Sequence, residues 1–121
     1  MKTECKSETV TLNGKEYPCT VSLTMDLIGG KWKAVILYHL IEGSLRFNEL
    51  SRAIPTVTEM TISLQLKQLE KDGLVIRTVY GEKPPIRVTY ELTTLGKSLI
   101  PLLKAITEWG NTVVISEGTF E

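Results

Sequence analysis

The stretch AIPTVTEMTISLQLKQLEKDGL, residues 53–74, decides the fold. A residue that precedes proline is biased away from helical backbone angles, so Pro55 predicts that any earlier helix ends at Ile54. A new helix is predicted over residues 58–72, and Gly73 supplies the conformational freedom that ends it. These residues therefore predict a helix, a tight turn and a second helix.

The start of the second helix carries two alternative capping residues, Thr56 and Thr58. Either hydroxyl can accept a hydrogen bond from a free N–H group in the first turn. Residues 56–59 also fit the capping-box pattern, in which the Glu59 side chain reaches back to the cap. Glu59 is then either available to a binding partner or fully occupied in capping.

The second helix has one apolar face and one mixed face. Ile62, Leu66 and Leu69 recur at helical spacing, so their face is expected to be buried. The opposite face carries short polar, apolar and basic side chains, namely Val57, Met60, Leu64, Lys67 and Lys71, flanked by Thr61, Ser63 and Gln68. Hydroxyl and methyl groups suit the major groove of DNA, where they meet base-edge acceptors and thymine methyls. The alternative is a plain amphipathic helix. The neighbouring segments decide between these two interpretations.

Those segments predict a winged helix-turn-helix. A short helix over residues 46–54 precedes the Pro55 turn, and in such a motif the second helix enters the DNA groove. Residues 75–80 and 86–92 are rich in β-branched and aromatic side chains and are predicted to form a hairpin. The expected fold class is α+β, mainly helical, with a two-stranded β wing.

This arrangement assigns roles to individual side chains. We expect contacts to DNA bases from Thr58, Glu59, Thr61, Ser63 and Leu64. We expect contacts to DNA phosphates from Arg46, Arg52, Lys67, Lys83 and Arg87.

Further elements surround the predicted DNA-binding core. A helix is expected over residues 21–28, and another over residues 31–41. The last helix is expected from residues 93–94 to about residue 109, and it either kinks at Pro101 or begins there. The helix over residues 21–28 and the last helix carry apolar stripes that a domain of this size cannot easily bury, so we expect a homodimer interface.

Three parts of the chain are distinguished. Residues 1–18 form an arm or a small β-hairpin around Asn13-Gly14, a strong hairpin signal. Residues 19–111 form the winged-helix domain with its dimerisation helices, and residues 112–121 form a tail.

Composition narrows the class of protein. The formal net charge is zero, but residues 31–104 hold eleven Lys/Arg against seven Asp/Glu, so the centre of the chain is basic. No apolar run is long enough to cross a bilayer and no signal-peptide pattern is present, so a cytoplasmic protein is expected. A single histidine, scattered carboxylates and no Gly-rich phosphate loop argue against an enzyme. We expect no cofactor, no metal site and no membrane partner, and the sequence identifies no small-molecule ligand.

The chain resembles the HxlR-type transcriptional regulators, which are relatives of MarR. The resemblance covers roughly residues 19–110 and is carried by Cys19 and by the blocks IGGKW, RFNEL and LTTLG, together with the DGL, PP and WG pairs or triplets between and after them. It implies a homodimer that binds operator DNA through a winged helix and often represses neighbouring genes. Many members carry Lys where this chain has Met60, and residues 1–17 lie outside the pattern.

Cys19 lies where some members of that family carry a cysteine that senses oxidants or electrophiles. A thiolate beside a helix N-terminus has a lowered pKa, and Cys19 precedes the helix over residues 21–28, so reactivity is physically reasonable. Cys5 could resolve an oxidised Cys19. The alternative is a partly buried, inert thiol.

The resemblance therefore favours a sequence-specific DNA-binding repressor acting on palindromic operators and responding to oxidants through Cys19. The alternative function is a winged-helix module that binds another protein through Met60 and Leu64 and does not bind DNA.

Overall fold

The computed structural model of the protein describes residues 9–118. Its helices are α1 (Thr20–Ile28), α2 (Lys33–His39), α3 (Phe47–Ala53), α4 (Glu59–Lys71), α5 (Thr94–Lys97) and α6 (Ile100–Glu117). Its strands are β1 (Val10–Leu12), β2 (Lys15–Tyr17), β3 (Leu45–Arg46), β4 (Val75–Tyr80) and β5 (Arg87–Leu92). The α+β, mainly helical winged helix-turn-helix fold that the sequence predicted is confirmed.

A single hydrophobic cluster joins the helices and the sheet. Its most deeply buried side chains, exposed by 1% or less, are Ile36, Leu37, Leu40, Leu50, Ile62, Leu66 and Leu69. They come from α2 and its C-cap, from α3 and from α4, and the cluster also includes Ile28 of α1, Val75 of β4, Leu92 of β5 and Leu103 of α6. The helix-turn-helix is therefore anchored on α2, and α4 cannot rotate about its axis without exposing its buried leucines.

The C-terminal end of α4 is closed by a Schellman motif. Gly73 adopts a φ of 77°, which a residue with a Cβ rarely takes, and donates its N–H to the Glu70 carbonyl at 3.0 Å. The Leu74 N–H donates to the Leu69 carbonyl at 3.0 Å. The Thr93 hydroxyl also donates to the Gly73 carbonyl at 2.6 Å, so the end of α4 is tied to the residue that caps α5.

Gly96 lies against the same junction. A Cβ built on it would be 2.2 Å from the Leu74 carbonyl oxygen and 3.2 Å from the Leu92 Cβ. Only glycine therefore permits this approach of α5 to the strand that follows α4.

The wing is part of a three-stranded sheet in the order β3-β5-β4, although the sequence predicted two strands. The two-residue strand β3 places Arg46 opposite Thr89. The helix predicted over residues 46–54 consequently begins one residue later, at Phe47, and the Glu49 carboxylate accepts a hydrogen bond from the Arg46 N–H at 2.8 Å. The third strand extends the sheet up to the N-terminus of α3.

The C-terminal helical region differs from the prediction at one end. It consists of two helices, with Pro101 in the first turn of α6, which confirms the alternative that placed a helix start at Pro101. The predicted end near residue 109 is wrong, because α6 continues to Glu117. Residues 110–112 are weak helix formers, but the helix continues through them into the apolar residues 113–115. Helix α2 is shorter than predicted, since Trp32 is its N-cap and Leu40 its C-cap.

The Asn13-Gly14 pair forms the turn of the β1–β2 hairpin, as its sequence predicted. Both residues have positive φ angles, 50° and 79°, as a type I′ turn requires. Val10 is paired with Tyr17. Residues 1–8 of the proposed arm lie outside the described residues.

The hairpin is held to α1 through one carboxylate. The Tyr17 hydroxyl donates to Asp26 Oδ2 at 2.5 Å, and Lys15 Nζ lies 3.3 Å from the same oxygen. The hydrogen bond to Asp26 raises the pKa of Tyr17 to about 12, with burial as the second cause. The Tyr17 hydrogen bond, followed by that from Lys15, lowers the pKa of Asp26. The two pKa shifts therefore keep Asp26 ionised and Tyr17 protonated over a wider pH range, as their hydrogen bond requires.

Candidate nucleic-acid interface

Helix α4 has one locked face and one open face. Ile62, Leu66 and Leu69 are buried in the core, as the sequence predicted. On the other side, Met60 is 75% exposed and Leu64 is 59% exposed. Met60 and Leu64 lie one helical turn apart, so together they form a contiguous exposed apolar patch of the kind that marks an interaction surface.

The N-terminus of α4 is capped by Thr58. Its Oγ1 accepts the Thr61 N–H at 3.1 Å and donates to Thr61 Oγ1 at 3.0 Å. The capping box predicted for Thr56 and Glu59 is wrong, because Glu59 is the first residue of the helix rather than the third. Glu59 is therefore exposed at the start of the helix, whereas the Thr58 hydroxyl already donates its proton to Thr61 Oγ1.

Val57, predicted on the open face, lies in the core instead. It is 8% exposed, and its N–H donates to the Ile54 carbonyl at 3.1 Å. Val57 precedes the Thr58 cap, so the helical spacing that places Met60 and Leu64 outside does not apply to it.

The open face is a continuous stripe, which we call the recognition stripe: Met60, Leu64, Lys67 and Lys71. At about 100° per residue, these four side chains fall within roughly 60° of one another around the helix axis. Each of the four residues is exposed.

Of the residues predicted to contact bases, only Leu64 belongs to this stripe. Thr61 and Ser63 are partly buried and flank the stripe on opposite sides, about 160° apart around the axis. Glu59 lies on the Ser63 side. Met60 and Lys71 were predicted on this face from their spacing from Leu64 by four and seven residues, but neither was assigned a contact to DNA.

Two of the residues predicted to contact phosphates meet in one cleft. Arg46 of β3 and Arg87 at the start of β5 line a cleft of about 350 Å³, together with Phe47 and Asn48 at the start of α3. The strand register explains this, because Arg46 is opposite Thr89, two residues from Arg87 on the same strand and hence on the same face of the sheet. The cleft thus joins the helix-turn-helix to the wing.

The other predicted phosphate contacts lie outside this cleft. Arg52 is in the last turn of α3, Lys67 is on the recognition stripe, and Lys83 is in the loop between β4 and β5. All three are exposed. The β4–β5 register pairs Tyr80 with Arg87, so the connecting loop spans residues 81–86.

Cys19 is the N-cap residue of α1, which places it at the helix N-terminus that the sequence predicted. Its side chain is 7% exposed and disulfide-bonded. Its carbonyl accepts the Leu23 N–H at 3.2 Å, so a movement of Cys19 would be transmitted to the first turn of α1. Cys5, predicted to resolve an oxidised Cys19, lies outside the described residues.

A second open surface lies on α6. Leu102, Ile106, Trp109 and Val113 are exposed by 39%, 45%, 72% and 38%, and their spacing places them on one face of the helix. On α1, Val21 and Met25 are exposed by 60% and 57%. No helix within residues 9–118 has the length and apolarity needed to cross a membrane.

A helix-turn-helix with an exposed recognition stripe, joined to a β wing, defines a transcriptional regulator of the winged-helix class. The model of the HxlR-like helix-turn-helix family matches residues 27–117, and this chain belongs to that family. Members of the family are transcriptional regulators rather than enzymes.

Similar proteins agree with this assignment. The chain is 44% identical over 104 residues to YybR of Bacillus subtilis (strain 168), an uncharacterized HTH-type transcriptional regulator, covering 86% of this chain and 82% of YybR. The redox regulator HypR in its reduced form has a TM-score of 0.74 and 45% identity, covering 78% of this chain and 92% of HypR. HypR in its oxidised form also has a TM-score of 0.74, with 46% identity over 78% of this chain and 96% of that one. A protein from Enterococcus faecalis V583 described as a MarR family transcriptional regulator has a TM-score of 0.70 and 36% identity, covering 81% of this chain and 88% of that one.

Proposed function

We propose that this protein is a homodimeric, sequence-specific DNA-binding repressor that acts on palindromic operators in the cytoplasm. One observation carries the proposal: the recognition stripe is exposed on a helix whose opposite face is fixed in the core. A rigid helix with an open face of two apolar and two basic side chains has the dimensions and chemistry of a major-groove reader.

Base contacts come from the N-terminal half of α4. Leu64 and Met60 meet thymine methyl groups, and Glu59, at the helix start, accepts from cytosine amino groups. Thr61 and Ser63 border the stripe and supply hydroxyl groups at its two edges. Thr58 contributes mainly by capping, because its hydroxyl bonds to Thr61.

Residues that contact phosphates surround the base-contacting residues of α4. Arg46 and Arg87 bind one backbone segment from their shared cleft, which is supported by their common position beside α3. Arg52, Lys67 and Lys83 bind the backbone on other sides of the motif. If one dimer neutralises about six phosphates, its DNA affinity should fall by roughly a thousandfold between about 50 and 200 mM salt.

Dimerisation is supported by the unpartnered stripe on α6. Leu102, Ile106 and Trp109 lie on one helix face in water, and burying them against a second copy would remove that apolar surface. A two-fold dimer presents two copies of α4, and such copies match palindromic half-sites about 34 Å apart. Sedimentation equilibrium should give twice the mass of the chain for the wild type and a weaker dimer for Trp109→Ala, whereas a monomeric wild type would contradict dimerisation.

We further propose that oxidation of Cys19 regulates DNA binding. HypR, a redox regulator of similar fold, and the position of Cys19 at the start of α1 support this. Joining the Cys19 and Cys5 thiols in a disulfide gives two electrons and two protons to the oxidant. Treatment of the protein with diamide, after reduction of its disulfide and removal of the reductant, should change the DNA affinity of the wild type and leave Cys19→Ser unaffected. An equal response in Cys19→Ser would exclude this cysteine as the sensor.

The test of DNA binding is selection from a random duplex library. The wild type should enrich a palindrome, and Leu64→Glu should lose that enrichment because a carboxylate replaces a base contact inside the groove. Ile115→Glu is the matched control, since Ile115 is 76% exposed on α6 and its spacing places it on the side of that helix opposite Leu102, Ile106 and Trp109. Failure of the folded wild type to enrich any sequence at low salt would instead favour a protein-binding module.

A further inference from the structure

A polar cleft lies between the N-terminal hairpin, α1 with the start of α2, and the C-terminal end of α4. It has a volume of about 420 Å³, and three lysines line it, one from each of these regions: Lys15, Lys33 and Lys71. The cleft is separate from the Arg46–Arg87 cleft and lies within the size range of small-molecule sites, roughly 300–1,000 Å³. Its lysines are therefore brought together by the fold and not by proximity in sequence.

The two carboxylates of this cleft are already engaged by neighbours. Asp26 accepts from Tyr17 at 2.5 Å and from Lys15 at 3.3 Å. Asp72 accepts from the Gln68 side-chain amide at 3.3 Å. Lys33 donates to the backbone carbonyl of Asp26 at 3.3 Å, which is a neutral acceptor, and its charge contributes to the lowered pKa of the Asp26 carboxylate without a direct ion pair within residues 9–118.

The lysines, in contrast, retain donor capacity. Each ammonium group has three N–H donors, and Lys15 and Lys33 each use one in the bonds described above. Lys71 makes no ion pair within residues 9–118. The cleft thus offers several unused donors on cationic groups, with a net charge of +1 from three lysines and two aspartates.

We propose that this cleft binds a phosphate group, and that its natural occupant is a small diphosphate-bearing ligand. Lysine binds phosphate as a point charge, and three lysines around one cavity can contact oxygens on two adjacent phosphoryl groups. The N-terminal hairpin supplies Lys15 and forms one wall of the cleft, so residues 10–17, which lie outside the family match, acquire a function.

Occupancy of the cleft is coupled to the recognition stripe through Lys71, which belongs to both. A bound polyanion beside Lys71 lowers the positive potential along α4 and weakens the attraction to DNA. This coupling rests on the proposed DNA-binding function, whereas binding of the ligand itself does not.

The test is isothermal titration calorimetry of the full chain with sodium pyrophosphate in the absence of DNA. We expect saturable binding of one pyrophosphate per chain to the wild type. Removing one charged contact in Lys33→Gln should weaken binding by roughly tenfold or more. Lys33→Arg should retain most of the affinity, and Lys97→Gln, which makes the same change of charge on α5, should match the wild type.

A second measurement distinguishes between two sources of the bound phosphate, a free ligand and the phosphate backbone of DNA. The affinity for the selected duplex is measured for the same variants without pyrophosphate. If pyrophosphate does not bind but Lys33→Gln weakens DNA binding and Lys97→Gln does not, the phosphate belongs to DNA. If folded Lys33→Gln equals the wild type in both measurements, the cleft is not a phosphate site. If the wild type binds pyrophosphate but no DNA, the proposed function is contradicted and the proposed phosphate site is still supported.

Discussion

Leu64 and Leu66 offer a direct test of the orientation of α4, because the same substitution is made two residues apart on opposite faces. Leu66 is 1% exposed and Leu64 is 59% exposed. Leu66→Ala removes a buried side chain from a close-packed core and should lower the free energy of unfolding by roughly 3–5 kcal/mol. Leu64→Ala removes atoms that are largely in water and should change the free energy by no more than about 0.5 kcal/mol.

The assay is urea unfolding followed by far-UV circular dichroism at one fixed protein concentration, because dimerisation would make stability depend on concentration. With a slope of about 1.5 kcal/mol per molar urea, Leu66→Ala should lower the midpoint by roughly 2 M or more, and Leu64→Ala by less than about 0.4 M. Equal midpoint shifts in the two variants would refute the packing of α4.

The same pair separates stability from DNA binding. Leu64→Ala loses an apolar base contact of about 1 kcal/mol in each half-site, or roughly thirtyfold in affinity for two half-sites. The measurement is fluorescence anisotropy with the selected duplex, at a temperature where both proteins are folded. Unchanged affinity in Leu64→Ala would show that the recognition stripe does not contact bases.

Three further predictions concern the α5 junction, the hairpin and the wing. Gly96→Ala should destabilise the fold by more than about 2 kcal/mol, because the new Cβ would be 2.2 Å from a backbone carbonyl oxygen; Gly110→Ala, which meets nothing within 4 Å, should be neutral or stabilising in thermal unfolding. Because the pKa of Tyr17 is raised to about 12, its hydrogen bond stabilises the fold fully below about pH 10, and that contribution disappears as the pH rises through 12. In a spectrophotometric titration one ionisation step near pH 12 should belong to Tyr17, and Tyr17→Phe should lack that step; an identical curve would argue against the bond to Asp26. Arg87→Ala should reduce the slope of log affinity against log salt by about 0.9 per lost phosphate contact, about 1.8 per dimer, and an unchanged slope would exclude Arg87 from the interface.

Local signals explain why so much of the fold was predictable. Pro55 and Gly73 bracket α4, and the observed helix begins and ends within one residue of the predicted range 58–72. Asn13-Gly14 favours positive φ angles without any help from the rest of the chain. The wing strands were equally clear, since β-branched and aromatic residues fill β4 and β5.

Features that depend on distant partners were missed. Strand β3 has only two residues and exists because it pairs with β5, more than forty positions later, so no periodicity reveals it. Val57 was counted as a helical position, although the cap at Thr58 separates it from the helix and lets it turn inward.

The candidate site was predictable in its residue types more than in its arrangement. Leu64 could be placed on the open face from spacing alone. The meeting of Arg46 and Arg87 in one cleft depends on the register of β3 against β5. The polar cleft that contains Lys15, Lys33 and Lys71 depends on the packing of the hairpin against α1 through Tyr17 and Asp26. Spacing along the sequence does not show this contact.

The central claim is that two copies of α4 lie in successive major grooves of one duplex. Methylation protection of guanine N7 on the selected duplex measures this, because N7 faces the major groove. We predict two protected patches with centres about 10–10.5 base pairs apart, or a small multiple of that spacing, and loss of both in Leu64→Glu. A single patch, or protection that survives in folded Leu64→Glu, would contradict it.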